Sequence, residues 1–228
     1  MLSAIILAAG QGKRLGSAVS KPLVKIGKFP IIIYSLRTLD EHPEIDEIIL
    51  VVNNRNRGPV TRLIKKYSFK KIKTLVLGGS RRQDSVYNGL KNVSSNSDWV
   101  LIHDSARPFI DGAGVTKVIR AAKETGSAIV AVKPKATIKS SWQGNLVAKT
   151  LDRDNLWEIQ TPQVFKKNLI LQAYKKFGSG KVTDDASLVE KLGKKIKLVQ
   201  GSYKNIKITT GEDLLFAGLI AKRCRRAI

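Results

Sequence analysis

The feature that most constrains this chain is a regular alternation of short, continuously apolar segments with longer amphipathic ones. Continuous apolar segments predict strands buried on both faces, as in a parallel sheet, at residues 4–7, 48–52, 74–77, 99–102 and 128–132. Helical patterns occupy residues 31–39, 60–67, 85–93, 113–124, 166–176, 184–192 and 212–223, and a last strand is predicted at 196–199. Strands that alternate with helices over short connections predict a doubly wound α/β fold with a mostly parallel sheet.

The alternation stops after Val132. Residues 137–139 and 146–148 flank a Gln-Gly-Asn turn at 143–145, a pattern typical of a β-hairpin. A hairpin inserted in a parallel α/β domain often forms an arm or a lid. Because no repeat or linker divides the chain, we expect a single domain over residues 1–228 with a β-arm at about 135–152.

Charge is the unusual part of the composition. Lys and Arg total 41 against 18 Asp and Glu, which gives a net charge of +23. Such a surface attracts anions, whether nucleic acid, phosphorylated metabolites or an anionic membrane. The lone Cys224 excludes an internal disulfide framework, and two histidines, His42 and His103, leave little for a His-based metal centre. No apolar run approaches the ~20 residues needed to span a bilayer, and no signal-peptide pattern is present, so we expect a cytoplasmic protein.

The loop after the first strand carries the first candidate site. Gly10 and Gly12 would let backbone N–H groups approach phosphate oxygens closely. Lys13, Arg14 and Lys21 follow and would supply positive charge to a triphosphate. The spacing fits neither a P-loop nor a dinucleotide-binding motif. The alternative is a glycine-rich turn followed by solvated basic residues.

Asp104 stands at the end of the fourth predicted strand, close to that first loop. A carboxylate at this position is well placed to hold Mg²⁺ on phosphate oxygens, although a capping or loop role is the alternative. A second loop, residues 78–85, precedes a helix, with Asp84 or Ser85 as its candidate N-cap. Capping and ligand contact can coexist there.

Several motifs extend these observations over nearly the whole chain. They are Ala8-Ala9-Gly10-x-Gly12-x-Arg14, Gly78-Gly79 through Asp84-Ser85-Val86, His103-Asp104-x-Ala106-Arg107-Pro108, Thr137-Ile138-Lys139, Asp152-Arg153 with Leu156-Trp157, Gln160-Thr161-Pro162-Gln163, Thr183-Asp184-Asp185-Ala186-Ser187 and Asn205-Ile206-Lys207-Ile208-Thr209. In this order they resemble the 2-C-methyl-D-erythritol 4-phosphate cytidylyltransferase family of the non-mevalonate isoprenoid pathway. The resemblance implies a Rossmann-like nucleotidyltransferase fold and a homodimer formed through the β-arm.

The resemblance also implies a role for each candidate residue. Arg14, Lys21 and Lys207 would be catalytic, with Arg14 and Lys21 on the CTP phosphates, and Asp104 would hold Mg²⁺. The expected CTP-binding residues are Ala8, Ala9, Gly10, Gly12, Gly79, Ser80, Ser85, Asp104 and Ser105. The expected methylerythritol phosphate-binding residues are Arg107, Arg153, Thr161, Thr183 and Lys207, with Arg153 and Thr161 reaching the phosphate from the partner subunit. A phosphate nucleophile needs no Ser, Cys or His base, which is compatible with the scarcity of His and Cys.

Three positions depart from the common family pattern: Lys21 is followed by Pro22, Ala136 stands where the family usually has Asp, and Ser80 replaces an acidic residue found in some members. These departures concern the fine detail of the substrate site more than cytidylyl transfer. Ribitol-5-phosphate cytidylyltransferase, a sister family with the same chemistry, is the nearest alternative. A sugar-1-phosphate nucleotidylyltransferase is a more distant one.

A nucleic-acid-binding protein is the alternative from another class. Between Ile48 and Gln83 there are ten Lys or Arg and no Asp or Glu, and residues 191–228 hold ten more. Aromatic residues make up only 6% and are not interleaved with these cations as a stacking platform would require. We therefore interpret the surplus as a solvated basic surface and expect neither a specific nucleic-acid partner nor a membrane.

Overall fold

The computed structural model describes residues 1–10, 12, 19–180 and 182–223. Its strands are β1 (Leu2–Leu7), β2 (Lys25–Ile26), β3 (Phe29–Pro30), β4 (Glu47–Val52), β5 (Ile72–Leu77), β6 (Trp99–Asp104), β7 (Ser127–Val132), β8 (Lys139–Ser141), β9 (Val147–Thr150), β10 (Glu158–Lys166) and β11 (Lys197–Gln200). Its helices are α1 (Ile31–Asp40), α2 (Asn54–Tyr67), α3 (Arg82–Leu90), α4 (Gly112–Thr125), α5 (Lys167–Phe177), α6 (Ala186–Glu190) and α7 (Gly211–Arg223). No helix within these described ranges is long and apolar enough to cross a membrane.

Seven strands form the central sheet in the order β11-β7-β10-β6-β1-β4-β5. β1 pairs in parallel with both β4 and β6, β4 with β5, and β11 with β7. Every residue of β4 and β7 is buried, as continuous apolar strands of a covered sheet should be. The predicted α/β fold with a mostly parallel sheet is therefore confirmed.

One central strand was not predicted. β10 runs antiparallel between β6 and β7. Its sequence contains Pro162, and proline in a sequence argues against a central strand because it cannot donate to the ladder. The structure accommodates Pro162 where the β10–β7 register shifts between Ile159 and Gln163, and the Thr161–Pro162 peptide bond is cis.

The core lies on both faces of the sheet. Ile6 of β1 packs in one apolar cluster with residues of α1, α2 and α4, whereas its neighbour Ile5 packs in a second cluster with residues of α3, α5 and α6. Both side chains are fully buried, and such burial contributes about 1.5–3 kcal/mol per side chain. Helices therefore cover both faces and leave the strand ends as the accessible edge.

Two helices begin earlier than their hydrophobic periodicity indicates. α2 starts at Asn54 rather than near Val60, because its first turn is polar and is capped by Asn53. α3 starts at Arg82 rather than Ser85, since the Asp84 carboxylate accepts the backbone N–H of Arg81 at 3.0 Å. Asp84 thus caps the helix from its first turn, not as the N-cap residue. α6 is shorter than predicted.

The hairpin expected at 135–152 is present as the antiparallel pair β8–β9, with residues 143–145 in its turn. Gly144 and Asn145 have φ angles of 78° and 60°, which explains glycine and asparagine at this turn. A third apolar cluster, which includes Ile208 and Ala217, packs α7 against β2 and α1. This cluster anchors the segment 205–209 beside the carboxyl edge of the sheet.

Candidate active site

The carboxyl ends of β1 and β6 lie side by side because the two strands are parallel and directly paired. Leu7 stands opposite Asp104 in the register. Ser105 donates from its backbone nitrogen and its hydroxyl to the Leu7 carbonyl, at 3.1 and 2.7 Å. This edge is where open α/β sheets bind ligands. The predicted residues Ala8, Asp104 and Ser105 therefore lie together, and their contacts with CTP stay predictions.

Two asparagines that the sequence analysis did not single out hold the first loop. Asn53 Nδ2 donates to the Ala9 carbonyl at 2.9 Å, and Asn56 Nδ2 donates to the Ala8 carbonyl at 2.8 Å and to Ser20 Oγ at 3.1 Å. Asn53 and Asn56 also cap α2 reciprocally. The spacing of two asparagines three residues apart ahead of a helix is the signal that could have found them.

Gly12 brings the first loop against Lys21. Its φ is +68°, and a Cβ added there would lie only 2.8 Å from the Lys21 Cβ. Lys21 Nζ donates to the Ile208 carbonyl at 2.9 Å, which links the first loop to the C-terminal segment. Gly10 is exposed at the strand end. Arg14, the other predicted cation of this loop, lies outside the described residues.

The second loop closes against the first. A Cβ added at Gly78 would lie 2.5 Å from the Ala9 Cβ, so the two loops approach more closely than any side chain allows. The Gly79 backbone N–H donates to Ser85 Oγ at 3.1 Å, and the Ser85 hydroxyl lies 3.2 Å from the Arg81 carbonyl that accepts from it. The predicted residues Gly79 and Ser85 therefore shape this loop from within.

Ser80 and Arg81 both bind the Asp84 carboxylate. Ser80 Oγ donates at 2.9 Å, and the Arg81 guanidinium donates from Nη2 at 2.7 Å. The hydrogen bond from Arg81 is the main cause that lowers the pKa of Asp84 to about 2. Asp84 is therefore a carboxylate at neutral pH, and the Ser80 hydroxyl is oriented by it.

Asp104 is held between two cations. Arg82 Nε donates to Oδ1 at 3.0 Å, and Lys207 Nζ donates to Oδ2 at 2.6 Å. Burial by itself would raise the pKa of the Asp104 carboxyl, but Arg82 and Lys207 outweigh it and hold the pKa well below its usual range. We call Lys21, Arg82, Asp104 and Lys207 the strand-end site.

Arg82 was missed by the sequence analysis. Its Nη2 also donates to Asp185 Oδ2 at 2.9 Å, and the other oxygen of Asp185 accepts the Tyr174 hydroxyl at 2.5 Å. Asp185 is fully buried. Burial would lower the pKa of Arg82, but the two carboxylates overcome it and raise that pKa. Only the Asp184-Asp185 pair within a family motif could have pointed to this contact.

Thr161 and His103 form a hydrogen-bonded chain behind Asp104. The Asp104 backbone N–H donates to Thr161 Oγ1 at 3.1 Å, and Thr161 Oγ1 lies 3.1 Å from His103 Nδ1. His103 Nε2 lies 3.0 Å from the Arg107 carbonyl. Burial lowers the pKa of His103 to about 4, so the ring is neutral and donates from Nε2. Both ring nitrogens of His103 are therefore engaged within the protein.

Thr161, for which a contact with substrate stays a prediction, lies beside Asp104. It is 5% exposed and its hydroxyl is engaged within its own chain, beside Asp104. It belongs to β10, the strand that the sequence analysis did not predict.

Arg107 is held by two backbone carbonyls. Its Nη1 donates to the Asn205 carbonyl at 2.8 Å and its Nη2 to the Ile159 carbonyl at 3.1 Å. Among the described residues its buried Nε has no hydrogen-bond partner. Burial is the main cause that lowers the pKa of Arg107. The guanidinium is thus fixed by backbone oxygens and retains one donor that a ligand or a water could satisfy.

The remaining predicted substrate-binding residues are Thr183 and Arg153. Thr183 is exposed on the loop before α6. Arg153 lies at the base of the arm, where Nη1 donates to the Lys135 carbonyl at 3.0 Å. Neither has a hydrogen bond to the strand-end site among the described contacts, and their contacts with substrate stay predictions.

Two close-packed loops and a carboxylate flanked by cations meet at the carboxyl edge of a mostly parallel sheet. Phosphorylated ligands bind at such an edge, because loop backbone N–H groups and cations neutralise phosphate oxygens. The fold and the site therefore define an α/β protein that binds phosphorylated ligands.

Comparisons with known proteins identify the family. The family model IspD, 2-C-methyl-D-erythritol 4-phosphate cytidylyltransferase, matches residues 2–223. A protein of that name from Shouchella clausii is 46% identical over 224 residues, which cover 97% of this chain and 96% of the relative. The crystal structure of 4-diphosphocytidyl-2C-methyl-D-erythritol synthase from Anaerococcus prevotii matches with a TM-score of 0.88 and 38% identity, covering 97% of this chain and 96% of that one. The chain belongs to the 2-C-methyl-D-erythritol 4-phosphate cytidylyltransferase family, which confirms the resemblance found in its sequence.

Proposed function

We propose that this protein transfers a cytidylyl group from CTP to 2-C-methyl-D-erythritol 4-phosphate, giving 4-diphosphocytidyl-2-C-methyl-D-erythritol and pyrophosphate. The family match over residues 2–223 supports the assignment. The structural observation that carries it is the contact of 2.6 Å between Lys207 and Asp104 at the paired strand ends. Lys207, a cation for the substrate phosphate, thus lies beside Asp104, a carboxylate suited to a metal on the CTP phosphates.

The reaction is a displacement at phosphorus. An oxygen of the substrate phosphate forms a bond to the α-phosphorus of CTP, the bond from that phosphorus to the bridging oxygen breaks, and pyrophosphate leaves with the electron pair. Positioning and neutralisation of charge are the main requirements. The phosphate is already a nucleophile, which agrees with a buried, neutral His103 whose two ring nitrogens are both engaged.

The cations come from distant parts of the chain. Lys21 and Arg14 bind the triphosphate, while Lys207 and Arg107 bind the substrate phosphate. The contact from Lys21 Nζ to the carbonyl of Ile208, the residue after Lys207, supports this division because it draws the two lysine segments together. Two anions that repel each other can then meet between the two lysines.

Mg²⁺ fits this site as a metal shared with substrate. The described residues contain no group of three or more His, Cys, Asp or Glu that could hold a metal by themselves. Magnesium is usually bound by one or two carboxylates together with substrate phosphates, so the single carboxylate of Asp104 suits it. When bound, Mg²⁺ would neutralise charge on the triphosphate.

The β-arm supports a homodimer. Its tip carries Trp142, Leu146 and Val147 with 70%, 69% and 62% of their surface exposed. Such an apolar patch on a polar protein favours contact with another chain. Arg153 at the base of the arm would then reach the partner's substrate. Sedimentation velocity tests this: Trp142→Glu should shift the protein towards monomer, and an unchanged dimer would remove the arm from the interface.

A turnover assay tests the reaction itself. Pyrophosphate release from CTP is measured with 2-C-methyl-D-erythritol 4-phosphate and with ribitol 5-phosphate as acceptors. We expect a strong preference for the first. Much faster use of ribitol 5-phosphate would overturn the assignment, although the comparisons do not favour that sister family.

The remaining predictions concern where and with what the protein acts. We expect it to act in the cytoplasm without a membrane or a specific nucleic-acid partner. The net charge of +23 favours incidental binding to nucleic acid at low salt. A filter-binding experiment should show no tight, sequence-selective association at physiological salt.

A further inference from the structure

Arg82 and Lys207 bind the same carboxylate in different ways. Arg82 bonds Oδ1 of Asp104 and Lys207 bonds Oδ2. Arg82 opens a helix and 31% of its side chain is exposed, whereas Lys207 lies on a segment without regular structure and its side chain is 40% exposed. The two oxygens of Asp104 therefore have one partner on a helix and one on an irregular segment.

Asp185 and Tyr174 hold Arg82 in place. The fully buried Asp185 accepts from Arg82 Nη2 at 2.9 Å, and Tyr174 donates to the other oxygen of Asp185 at 2.5 Å. The planar guanidinium spans Asp104 and Asp185 at once, which the single ammonium of a lysine does not reproduce. Arg82 is therefore held by a second carboxylate besides Asp104.

We propose that Arg82 is a positioning residue for Asp104, which fixes Oδ1 so that Oδ2 faces Lys207 and the bound substrates. Asp185 and Tyr174 complete the arrangement by holding the guanidinium. The proposal deepens the proposed function and rests on it. Because Arg82 acts through Asp104, the loss of Arg82 should weaken CTP binding only to the extent that Asp104 contributes to that binding.

The decisive variants are Arg82→Lys, which keeps the charge and removes the planar fork, and Asp185→Asn, which loosens Arg82 without touching Asp104. Lys123→Gln is the matched control, because it breaks the exposed ion pair with Glu44 at 2.8 Å, away from the strand-end site. CTP binding is measured by calorimetry with Mg²⁺ and with EDTA. Steady-state kinetics and a crystal structure of the ligand-free Arg82→Lys variant complete the set.

Mutation of a residue that orients a metal ligand typically costs roughly 10- to 100-fold in affinity or activity, and we expect this loss in kcat and in Mg²⁺-dependent CTP affinity for Arg82→Lys. Asp185→Asn should lose less, and Lys123→Gln should match the wild type. The KM for the acceptor should change by less than about threefold, since Lys207 remains. The variant structure should show Asp104 turned away from its wild-type orientation.

Three results would overturn the proposal. Full kcat and full Mg²⁺-dependent binding in Arg82→Lys, even with a lower melting temperature, would make Arg82 merely structural. An equal loss of CTP affinity with Mg²⁺ and with EDTA would mean that Arg82 touches the nucleotide directly. An unmoved Asp104 in the variant structure would contradict the positioning role. Absence of turnover in the wild type would instead contradict the proposed function, and the orientation of Asp104 in the variant structure would still test the positioning role.

Discussion

The strand-end site and the exposed face of α2 both concentrate positive charge, but in opposite settings. In the strand-end site Arg82 and Lys207 lie against Asp104 at 3.0 and 2.6 Å. The α2 surface carries Arg55, Arg57, Arg62, Lys65 and Lys66. Among the described contacts, none of these five has an ion pair with a carboxylate.

The difference shows why a net charge of +23 is a poor guide to the reaction. A cation positioned by a buried carboxylate has a fixed direction, whereas an exposed cation is screened by salt beyond about 10 Å. We therefore expect substitutions in the strand-end site to change the reaction and substitutions on α2 to change little.

The largest effect is expected from Lys207→Ala. The variant removes the cation shared by Asp104 and the substrate phosphate, and the loss of one such stabilising group costs roughly 100- to 1,000-fold in kcat. Its melting temperature should stay close to that of the wild type, because 40% of the Lys207 side chain is exposed. Turnover with CTP and methylerythritol phosphate is the measurement.

Lys204→Ala is the matched control, since Lys204 is an exposed lysine three residues earlier on the same segment. We expect wild-type kcat for it. Equal losses in the two variants would mean that the segment contributes general positive charge. The cations of the strand-end site would then act in the same way as those of α2.

The sequence predicts where the strand-end site lies better than it predicts which residues meet there. The strand ends at Ala8 and Asp104 could be predicted, because continuous apolar strands show where the sheet ends. The partners of Asp104 could not, since Arg82 and Lys207 are 22 and 103 residues away in the sequence. Only the family resemblance singled out Lys207, and Arg82 escaped both approaches.

Local chemistry also overrode periodicity in two places. β10 escaped prediction because Pro162 interrupts its apolar pattern. The start of α2 escaped because its first turn is polar and depends on Asn53 as a cap. Hydrophobic patterns record burial, whereas these features depend on a bulge and on a side-chain hydrogen bond.

A second test compares glycines in the two regions. Gly78→Ala should destabilise the protein by about 1–3 kcal/mol, because its Cβ would lie 2.5 Å from the Ala9 Cβ and 2.8 Å from Ser85 Oγ. CTP affinity should fall with it, since both loops must shift. Chemical denaturation and calorimetry are the measurements.

Gly58→Ala on α2 is the control. Its Cβ would meet only Arg62 Nη1, at 3.8 Å, and alanine in a helix is more favourable than glycine by up to about 1 kcal/mol. We expect this variant to be more stable than the wild type with unchanged turnover. Equal destabilisation of both variants would contradict the close packing of the two loops.

A third test neutralises the α2 surface with Arg55→Gln, Arg62→Gln and Lys66→Gln together. We expect unchanged kcat and a fall in kcat/KM of no more than about threefold at physiological salt, because exposed charges act through steering. The loss should grow at low salt and vanish at high salt. A salt-independent fall in kcat would show that α2 belongs to the site after all.

The smallest effect concerns a buried histidine near the basic surface. Burial is the main cause that lowers the pKa of His42; Lys71 lowers it further, whereas Glu44 raises it. The unfolded chain protonates near the ordinary pKa of about 6.5 while the folded chain resists, so the free energy of unfolding should fall as pH drops below that value. His103, whose pKa is about 4, adds a slope of the same sign.

His42→Asn isolates the contribution of His42, because asparagine does not titrate. We expect the free energy of unfolding of the wild type to fall relative to that of the variant as pH drops from about 7.5 to about 5. This range stays above the main carboxylate titrations. Urea denaturation at each pH gives the difference. A constant difference would mean that folding does not perturb His42, and a shift in favour of the wild type would mean that Glu44 outweighs both burial and Lys71.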